Sequence, residues 1–231
     1  MSLRWIRTAF LWLAIAAYVF GMPPLLMWLS GDWRWMRGWI FYGALAALLA
    51  VCMVWMGLKD PALLAERLRL PGGGGEPRSD VAILFGIKLG FIALLVLPAL
   101  DVRFGWMPHL PLWSAFCGGV LMAPGLFLFI RSFTDNTFLS QLVRIQTDRG
   151  HHLVSTGVYS FVRHPMYLGG SLMFVGGALV LGSVAGLLVA IGLVLLIVLR
   201  IFGEERVLVS GLEGYQAYRE RVRYRLVPGV W

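Results

Sequence analysis

The stretch MYLGGSLMFVGGALVLGSVAGLLVAIGLVLLIVL, residues 166–199, decides how this chain folds. It contains 34 residues without a charge. A straight helix of that length would be about 51 Å long at about 1.5 Å per residue, whereas the hydrocarbon core of a bilayer is about 30 Å thick. Small residues at its middle, from Gly182 to Gly186, permit a break. The sequence therefore predicts a tight hairpin of two helices, roughly residues 165–181 and 184–204.

The remainder of the chain is also rich in apolar runs. Its 231 residues are 59% hydrophobic and 14% charged, whereas about a quarter of the residues in a soluble domain are charged. The first run favours a span over a signal peptide, because it continues to Leu29 without a small-residue cleavage site before Pro23. The predicted fold class is an all-α integral membrane protein with about six transmembrane helices, the last two forming the hairpin. The four earlier spans are expected at about residues 8–30, 38–58, 81–100 and 106–130.

Basic residues lie between the spans, so the net charge of +8 needs no nucleic-acid partner. With six spans, sixteen of the twenty lysines and arginines fall on one side of the membrane, together with both termini and the loop 131–165. Lysine and arginine accumulate in cytoplasmic loops, so both termini and that loop are predicted to be cytoplasmic. Five spans would place the loop and the C-terminal tail in opposite compartments and weaken this bias.

The stretch between residues 59 and 80 is predicted to be a connector. Asp60 precedes Pro61, which is the pattern of an N-cap followed by proline at the first helical position. A short helix over residues 62–70 would then end at the glycine-rich stretch 71–75. This pattern carries little functional signal.

The two cysteines, Cys52 and Cys117, lie in apolar runs. They form neither a CxxC pair nor a metal-binding pattern. They are therefore predicted to be buried free thiols, and no metal site is expected.

A polar cluster, Arg163-His164-Pro165, stands at the mouth of the hairpin. The residue before a proline avoids helical geometry and proline suits the first turn, so a helix is predicted to begin at Pro165. Its free N–H groups and Arg163 would favour an anion. The alternative is that Arg163 meets lipid phosphate and Pro165 only starts the helix. The glycine pairs that follow, at 169–170 and 176–177, favour close helix packing over room for a ligand.

A second polar group lies at the end of the long apolar run. Arg200 and Glu204 are four residues apart and share a helix face, while Glu205 lies around the corner. A surface salt bridge between Arg200 and Glu204 would contribute about 0.3–0.5 kcal/mol. Acidic residues near a span are paired or functional, however. Two glutamates in an arginine-rich border therefore also suggest a cationic ligand.

The pattern HxLVxxGVYxxxRHPxYxG, which runs from His151 to Gly169 and is followed by the Glu204-Glu205 pair, resembles the isoprenylcysteine carboxyl methyltransferase family and its phospholipid N-methyltransferase relatives. The resemblance covers about residues 131–231 and includes tail positions Tyr215, Tyr218, Val222 and Pro228. It implies an S-adenosylmethionine-dependent methyltransferase core over residues 131–231, preceded by a four-span membrane region over 1–130. No Rossmann domain is expected, since no strand is followed by a GxGxxG turn.

The resemblance also implies roles for individual residues. Arg200 would bind the acceptor, and the catalytic residues would be Arg200, Glu204 and Glu205. Arg144 occupies the position of a polar cofactor contact in eukaryotic members and departs from that pattern. Cofactor contacts are implied for His151, His152, Leu153, Val154, Tyr159, Arg163, His164, Pro165, Met166 and Glu204.

The sequence leaves the acceptor open. A carboxylate is ionised at neutral pH and needs no general base, whereas an amine acceptor would give Glu205 or a tyrosine a basic role. Carboxyl O-methylation of a lipid-like acceptor is favoured, with a phospholipid amine or a small thiol as alternatives. A non-catalytic membrane partner that retains the fold is a further alternative. The tail arginines favour membrane-lipid anchoring over acceptor recognition: Arg219, Arg221, Arg223 and Arg225.

Overall fold

The fold is a set of helices joined by short loops and one long polar loop. A computed structural model describes residues 2–68 and 78–231, with side chains at 13, from 15 to 68 and from 79 onward. Within these residues there is no strand, and one isolated bridge joins His109 and Ser183. The α-helices are α1 (Ser2–Ser30), α2 (Met36–Lys59), α3 (Pro61–Arg67), α4 (Arg78–Phe104), α5 (Trp113–Asp135), α6 (Pro165–Leu181), α7 (Val184–Gly211) and α8 (Tyr215–Arg221).

The helices confirm an all-α, multi-pass membrane protein. Among the described residues, four helices are long and apolar enough to cross a bilayer: Met36–Lys59, Ser79–Phe104, Trp113–Asp135 and Val184–Gly211. Two shorter apolar helices, Ile15–Ser30 and Pro165–Leu181, accompany them. The count of six transmembrane helices stays a prediction.

The hairpin predicted within residues 166–199 is confirmed. Helix α6 ends at Leu181, and Gly182 adopts the left-handed conformation (φ 72°), which glycine tolerates because it lacks a Cβ. Ser183 then caps α7 by accepting a hydrogen bond from the Gly186 N–H at 3.0 Å. Helix α7 continues to Gly211, beyond the predicted end at residue 204.

The span predicted over residues 106–130 begins later than expected. Helix α5 starts at Trp113, and residues 105–112 form a loop. Arg37 holds this loop by donating to the carbonyls of Leu110 (3.1 Å) and Pro111 (2.9 Å). The Leu110 N–H in turn donates to the Gly182 carbonyl at 2.8 Å. These long-range contacts, rather than local hydropathy, set the start of α5.

Glycines bring α5 and α6 into close contact, as the packing interpretation predicts. A Cβ at Gly169 would lie 2.7 Å from the Gly125 carbonyl oxygen, and a Cβ at Gly176 would lie 2.7 Å from that of Gly118. Backbones approach this closely only where side chains are absent. Gly170, in contrast, faces open space.

Helix α3 forms at the position of the predicted connector. Asp60 caps it by accepting from the Leu63 N–H at 2.9 Å, and the helix ends at Arg67. The predicted end at residue 70 and the glycine-rich stretch 71–75 lie outside the described residues. Asp60 also accepts from the Thr137 hydroxyl. The connector is therefore tied to the long loop that follows α5.

Both cysteines are free, but the expectation that both are buried is wrong. Cys52 is partly buried, whereas Cys117 is exposed. Cys117 lies on α5, and only 17% of the most apolar stretch of this helix is buried within the protein. In a bilayer an apolar helix face can contact lipid, so hydropathy alone does not predict burial by protein.

Candidate active site

A polar cavity lies where α6 begins, beside the last turns of α7. Including its mouth it encloses about 820 Å³. Most of the residues singled out from the sequence line it, whereas His152 and Glu205 do not. The predicted residues in its wall are His151, Leu153, Val154, Tyr159, Arg163, His164, Pro165, Met166, Arg200 and Glu204.

Helix α6 begins at Pro165, as predicted, and the C-terminal tail holds the residues in front of it. The Arg163 N–H donates to the Tyr224 carbonyl and the His164 N–H donates to the Arg225 carbonyl, each at 3.0 Å. The Arg163 guanidinium donates to two further tail carbonyls, those of Val222 and Arg223, at 2.7 Å each. Arg163 is only 6% exposed. These contacts contradict the alternative in which Arg163 meets lipid phosphate.

Glu205 is the centre of a buried ion cluster, which we call the Glu205 cluster. One carboxylate oxygen lies 2.7 Å from Arg163 Nε and 3.3 Å from His164 Nε2, and the other lies 2.9 Å from Arg225 Nε. Arg225 also packs over the Trp231 ring at 5.1 Å. The prediction that the tail arginines anchor the protein to membrane lipid is therefore wrong for Arg225, because its side chain binds Glu205 instead. The cluster connects α7, the start of α6 and the tail.

Glu204 faces a different environment from its neighbour. Successive helical residues point about 100° apart, so Glu205 enters the ion cluster while Glu204 reaches the cavity. The Tyr167 hydroxyl donates to Glu204 at 2.6 Å, and the Tyr167 ring stacks on His164 with centroids 5.6 Å apart. Glu204 thus supplies a negatively charged group to the cavity wall.

Arg200 does not pair with Glu204 as the salt-bridge alternative supposes. It pairs with Asp80 of α4, with Nε 3.1 Å from Oδ1 and Nη2 3.3 Å from Oδ2, and it also donates to the Gln141 carbonyl. Arg200 and Asp80 are each 5% exposed. Asp80 also accepts from the Val143 N–H at 3.4 Å. We call this contact the Arg200–Asp80 pair.

Sequence reasoning missed Asp80 and Gln141. Asp80 belongs to the first turn of α4, although the sequence assigns it to the connector 59–80, just before the predicted span 81–100. The sequence feature that could have identified Asp80 is its position as an acidic residue at the border of an apolar helix, where such residues are paired or functional. Gln141 acts through its backbone carbonyl, so its side-chain type carried no signal.

The segment from His151 to Val154 lies on the opposite wall. The His151 ring stacks on Phe138 with centroids 4.7 Å apart, and its Nδ1 accepts from the Gln146 N–H at 3.3 Å. Burial lowers the pKa of His151, so the ring is neutral near pH 7. Leu153 and Val154 follow in a stretch without regular secondary structure. Their backbone groups make no hydrogen bond to another described residue.

The structure also shows the surroundings of Tyr159, Arg144 and His152. The Tyr159 ring is buried, and its backbone carbonyl accepts from the Tyr218 hydroxyl at 2.7 Å. Arg144, which departs from the cofactor-contact pattern, is paired with Glu66 at 2.7 Å. His152 is exposed and does not line the cavity. The neighbouring histidines of the motif therefore differ, since only His151 reaches the cavity.

The fold and cavity define an integral membrane protein with a polar site at one end of an apolar helical hairpin. The comparisons name its relatives. The family described as phospholipid methyltransferase matches residues 113–212. Protein-S-isoprenylcysteine O-methyltransferase of Schizosaccharomyces pombe is 36% identical over 85 residues, which is 36% of each chain. The matched stretch thus spans about a third of that relative. Both matches agree with the resemblance seen in the motif, since residues 113–212 are similar to the phospholipid methyltransferase family.

Proposed function

We propose that the protein is an S-adenosylmethionine-dependent methyltransferase acting on a membrane-soluble, lipid-like acceptor that carries an ionised carboxylate. One observation carries this proposal: residues implied for donor and acceptor line a single cavity. Glu204 and Arg200 are one helical turn apart on α7, about 6 Å along its axis. A negative group for a cationic donor and a positive group for an anionic acceptor therefore stand side by side.

The residues of the cavity fit the donor. When bound, it supplies a methyl group on a sulfonium sulfur, together with an ammonium and a carboxylate. Glu204 suits the ammonium, and the aromatic rings of Tyr159 and Tyr167 suit a cation. The N-terminus of α6 suits the carboxylate. The free backbone groups of Leu153 and Val154 can bind the polar edge of a base.

Arg200 is the group we assign to the acceptor. Asp80 and the Gln141 carbonyl both accept a hydrogen bond from its Nη2 atom and hold the guanidinium against the cavity wall. The remaining edge of the fork can orient a carboxylate. An ionised carboxylate needs no base. The chain would then contribute alignment of the acceptor oxygen with the methyl carbon and exclusion of water.

Glu205 is assigned to positioning rather than to proton transfer. Both of its oxygens are engaged by cationic partners, and it does not line the cavity. An amine acceptor requires a proton acceptor near the reacting nitrogen. The engagement of Glu205 therefore favours a carboxylate over an amine.

A phospholipid amine is the second candidate acceptor. The similarity of residues 113–212 to the phospholipid methyltransferase family supports it. Glu204 would then have to act as base, since it is the glutamate of the pair that lines the cavity. A thiol acceptor or a non-catalytic partner role has no such specific support.

Methyl transfer from radiolabelled S-adenosylmethionine into total membrane lipid tests the proposal. We expect label in the lipid fraction that is released by mild base, because esters are base-labile and methylamines are not. Calorimetry in detergent should show saturable binding of S-adenosylhomocysteine. Base-stable label would select the amine candidate, and absence of both binding and label would overturn the proposal.

We also propose that the cavity and both termini are cytoplasmic. The loop 131–165 and the tail form its walls together, so they occupy one side of the membrane. Thr147→Cys and Val230→Cys, in a background of Cys52→Ala and Cys117→Ala, should react with an impermeant thiol reagent from the same side of sealed vesicles. Trp106→Cys, in the exposed loop 105–112, should react from the other side. Reaction of positions 147 and 230 from opposite sides would overturn this topology.

We retain residues 131–231 as the proposed methyltransferase core and residues 1–130 as the preceding membrane region. Several contacts cross this boundary, and two of them join charged side chains: the Arg200–Asp80 pair and the bond between Arg144 and Glu66. The N-terminal region would therefore contribute charged partners to the site as well as membrane anchoring.

A further inference from the structure

The hydroxyl of Tyr215 has no hydrogen-bond partner among the described residues. Tyr215 opens α8, its side chain is 3% exposed, and its oxygen is buried. Buried hydroxyl groups are normally paired, because an unpaired one forfeits its bonds to water. Burial also raises the pKa of Tyr215, so the hydroxyl keeps its proton and can donate. This unpaired donor calls for a partner that completes the site.

Tyr218 provides a direct contrast on the same helix. It is also 3% exposed, and its ring centroid lies 5.7 Å from that of Tyr215. Its hydroxyl, however, donates to the Tyr159 carbonyl at 2.7 Å. The two tyrosines therefore share burial and helix, and differ in whether the protein itself supplies a partner.

The location of Tyr215 indicates which ligand supplies the missing partner. Tyr215 lines the cavity and packs in a cluster with Leu212, Leu153 and Leu208. Leu153 belongs to the segment whose backbone groups make no hydrogen bond to another described residue, and Glu204 lines the same cavity as Tyr215. Arg200, in contrast, is held by Asp80 of α4 and the loop carbonyl of Gln141. Tyr215 thus belongs to the wall assigned to the donor.

We propose that the Tyr215 hydroxyl hydrogen-bonds to the bound methyl donor, as an additional donor-binding residue; this rests on the proposed function. The unliganded protein leaves the hydroxyl unpaired, and ligand binding pairs it. The bond therefore contributes to ligand affinity and not to the stability of the unliganded fold.

Tyr215→Phe and the matched control Tyr218→Phe test this separation, with S-adenosylhomocysteine as the probe. For Tyr215→Phe we expect a ligand-free melting temperature equal to or above wild type, and a dissociation constant raised by about 3- to 10-fold, the range of one neutral hydrogen bond. For Tyr218→Phe we expect the melting temperature to fall by about 2–4 °C, because a bond within the protein is lost.

Three outcomes bear on the proposal. If wild type binds the probe and Tyr215→Phe binds it equally well, the hydroxyl does not contact the bound methyl donor. This inference then fails while the proposed function stands. If Tyr215→Phe melts as low as Tyr218→Phe, the hydroxyl is already paired in the free protein and the inference also fails. If wild type does not bind the probe, the proposed function itself fails.

Discussion

Two buried charge clusters border the cavity, and they differ in what they leave available. In the Glu205 cluster, Arg163 and His164 line the cavity, whereas Glu205 lies outside its wall with both carboxylate oxygens occupied by arginine partners. In the Arg200–Asp80 pair, the arginine itself lines the cavity. Glu205 and Arg200 are equally buried, at 5% exposure. Burial and charge alone therefore do not identify a ligand-binding residue, whereas the direction that the charged group faces does.

The two clusters also differ in the chain segments they join. All members of the Glu205 cluster come from residues 163–225, within the stretch covered by the family resemblance. The Arg200–Asp80 pair crosses to α4 in the N-terminal region. We therefore expect disruption of the first cluster to release the tail from the core. Disruption of the Arg200–Asp80 pair should instead affect how the core binds the methyl acceptor.

The largest effect is expected from Glu205→Gln. It leaves the buried Arg163 guanidinium without its counter-charge, and removing one partner of a buried ion pair costs about 3–5 kcal/mol. Denaturant unfolding in detergent measures the loss, and trypsin should cleave the exposed tail arginines faster. Glu213→Gln, at an exposed site, should behave as wild type. Wild-type stability of Glu205→Gln would mean that the cluster does not hold the tail.

Should Glu205→Gln fail to accumulate, Arg225→Gln offers a milder test of the same cluster. It removes one of the three side chains that contact Glu205 and leaves the contact with Arg163 in place. We expect faster tail cleavage with a smaller loss of stability than for Glu205→Gln. Unchanged cleavage would place the tail contact elsewhere.

The next effect is expected from Arg200→Met. Loss of a charged contact to the reacting group should lower methyl transfer by about 10²–10³-fold, or about 2–4 kcal/mol, with donor affinity nearly intact. Asp80→Asn in the same chain removes the stranded carboxylate, so the double variant should regain stability without regaining transfer. Arg200→Lys should rescue transfer only in part, because an ammonium lacks the planar fork of a guanidinium. Full transfer by the double variant would remove Arg200 from the acceptor site.

A smaller effect is expected from Glu204→Gln. Its carboxylate is assigned to the donor ammonium, and a hydrogen bond to a charged group contributes about 1.5–3 kcal/mol. The dissociation constant for S-adenosylhomocysteine should therefore rise by about 10- to 100-fold in calorimetry. Tyr167→Phe removes only the hydrogen bond that orients Glu204, so it should raise the dissociation constant less than Glu204→Gln does. A larger effect from Tyr167→Phe would indicate that Glu204 acts through Tyr167.

The smallest effect concerns pH and His151. Burial lowers the pKa of His151 in the folded protein, so the unfolded chain binds this proton more readily. Stability should therefore be fully present above the ordinary histidine pKa of about 6.5 and decline as pH falls below it. His151→Gln should flatten this part of the melting-temperature profile relative to wild type. An unchanged slope in His151→Gln would assign the decline to other groups.

Several structural features could be predicted because their causes are local. Proline fixes its own φ angle, so the start of α6 at Pro165 followed from two adjacent residues. The break at Gly182 followed from an uncharged run longer than a bilayer is thick. The cofactor residues were named from the motif, and ten of the predicted site residues line one cavity. Their roles in binding and transfer stay predictions.

By itself, the sequence determined a helical membrane protein with a hairpin and a polar motif at its mouth. These features depend on hydropathy, on charge spacing and on the steric limits of proline and glycine, all of which act within a few residues. Only the tertiary structure decided that Arg200 pairs with Asp80, 120 positions earlier, rather than with Glu204. It also decided that Glu205 is bound by arginines while the Tyr215 hydroxyl finds no partner in the described part of the chain. Which distant side chains become partners depends on how the helices pack against one another. That packing cannot be read from the order of residues along the chain.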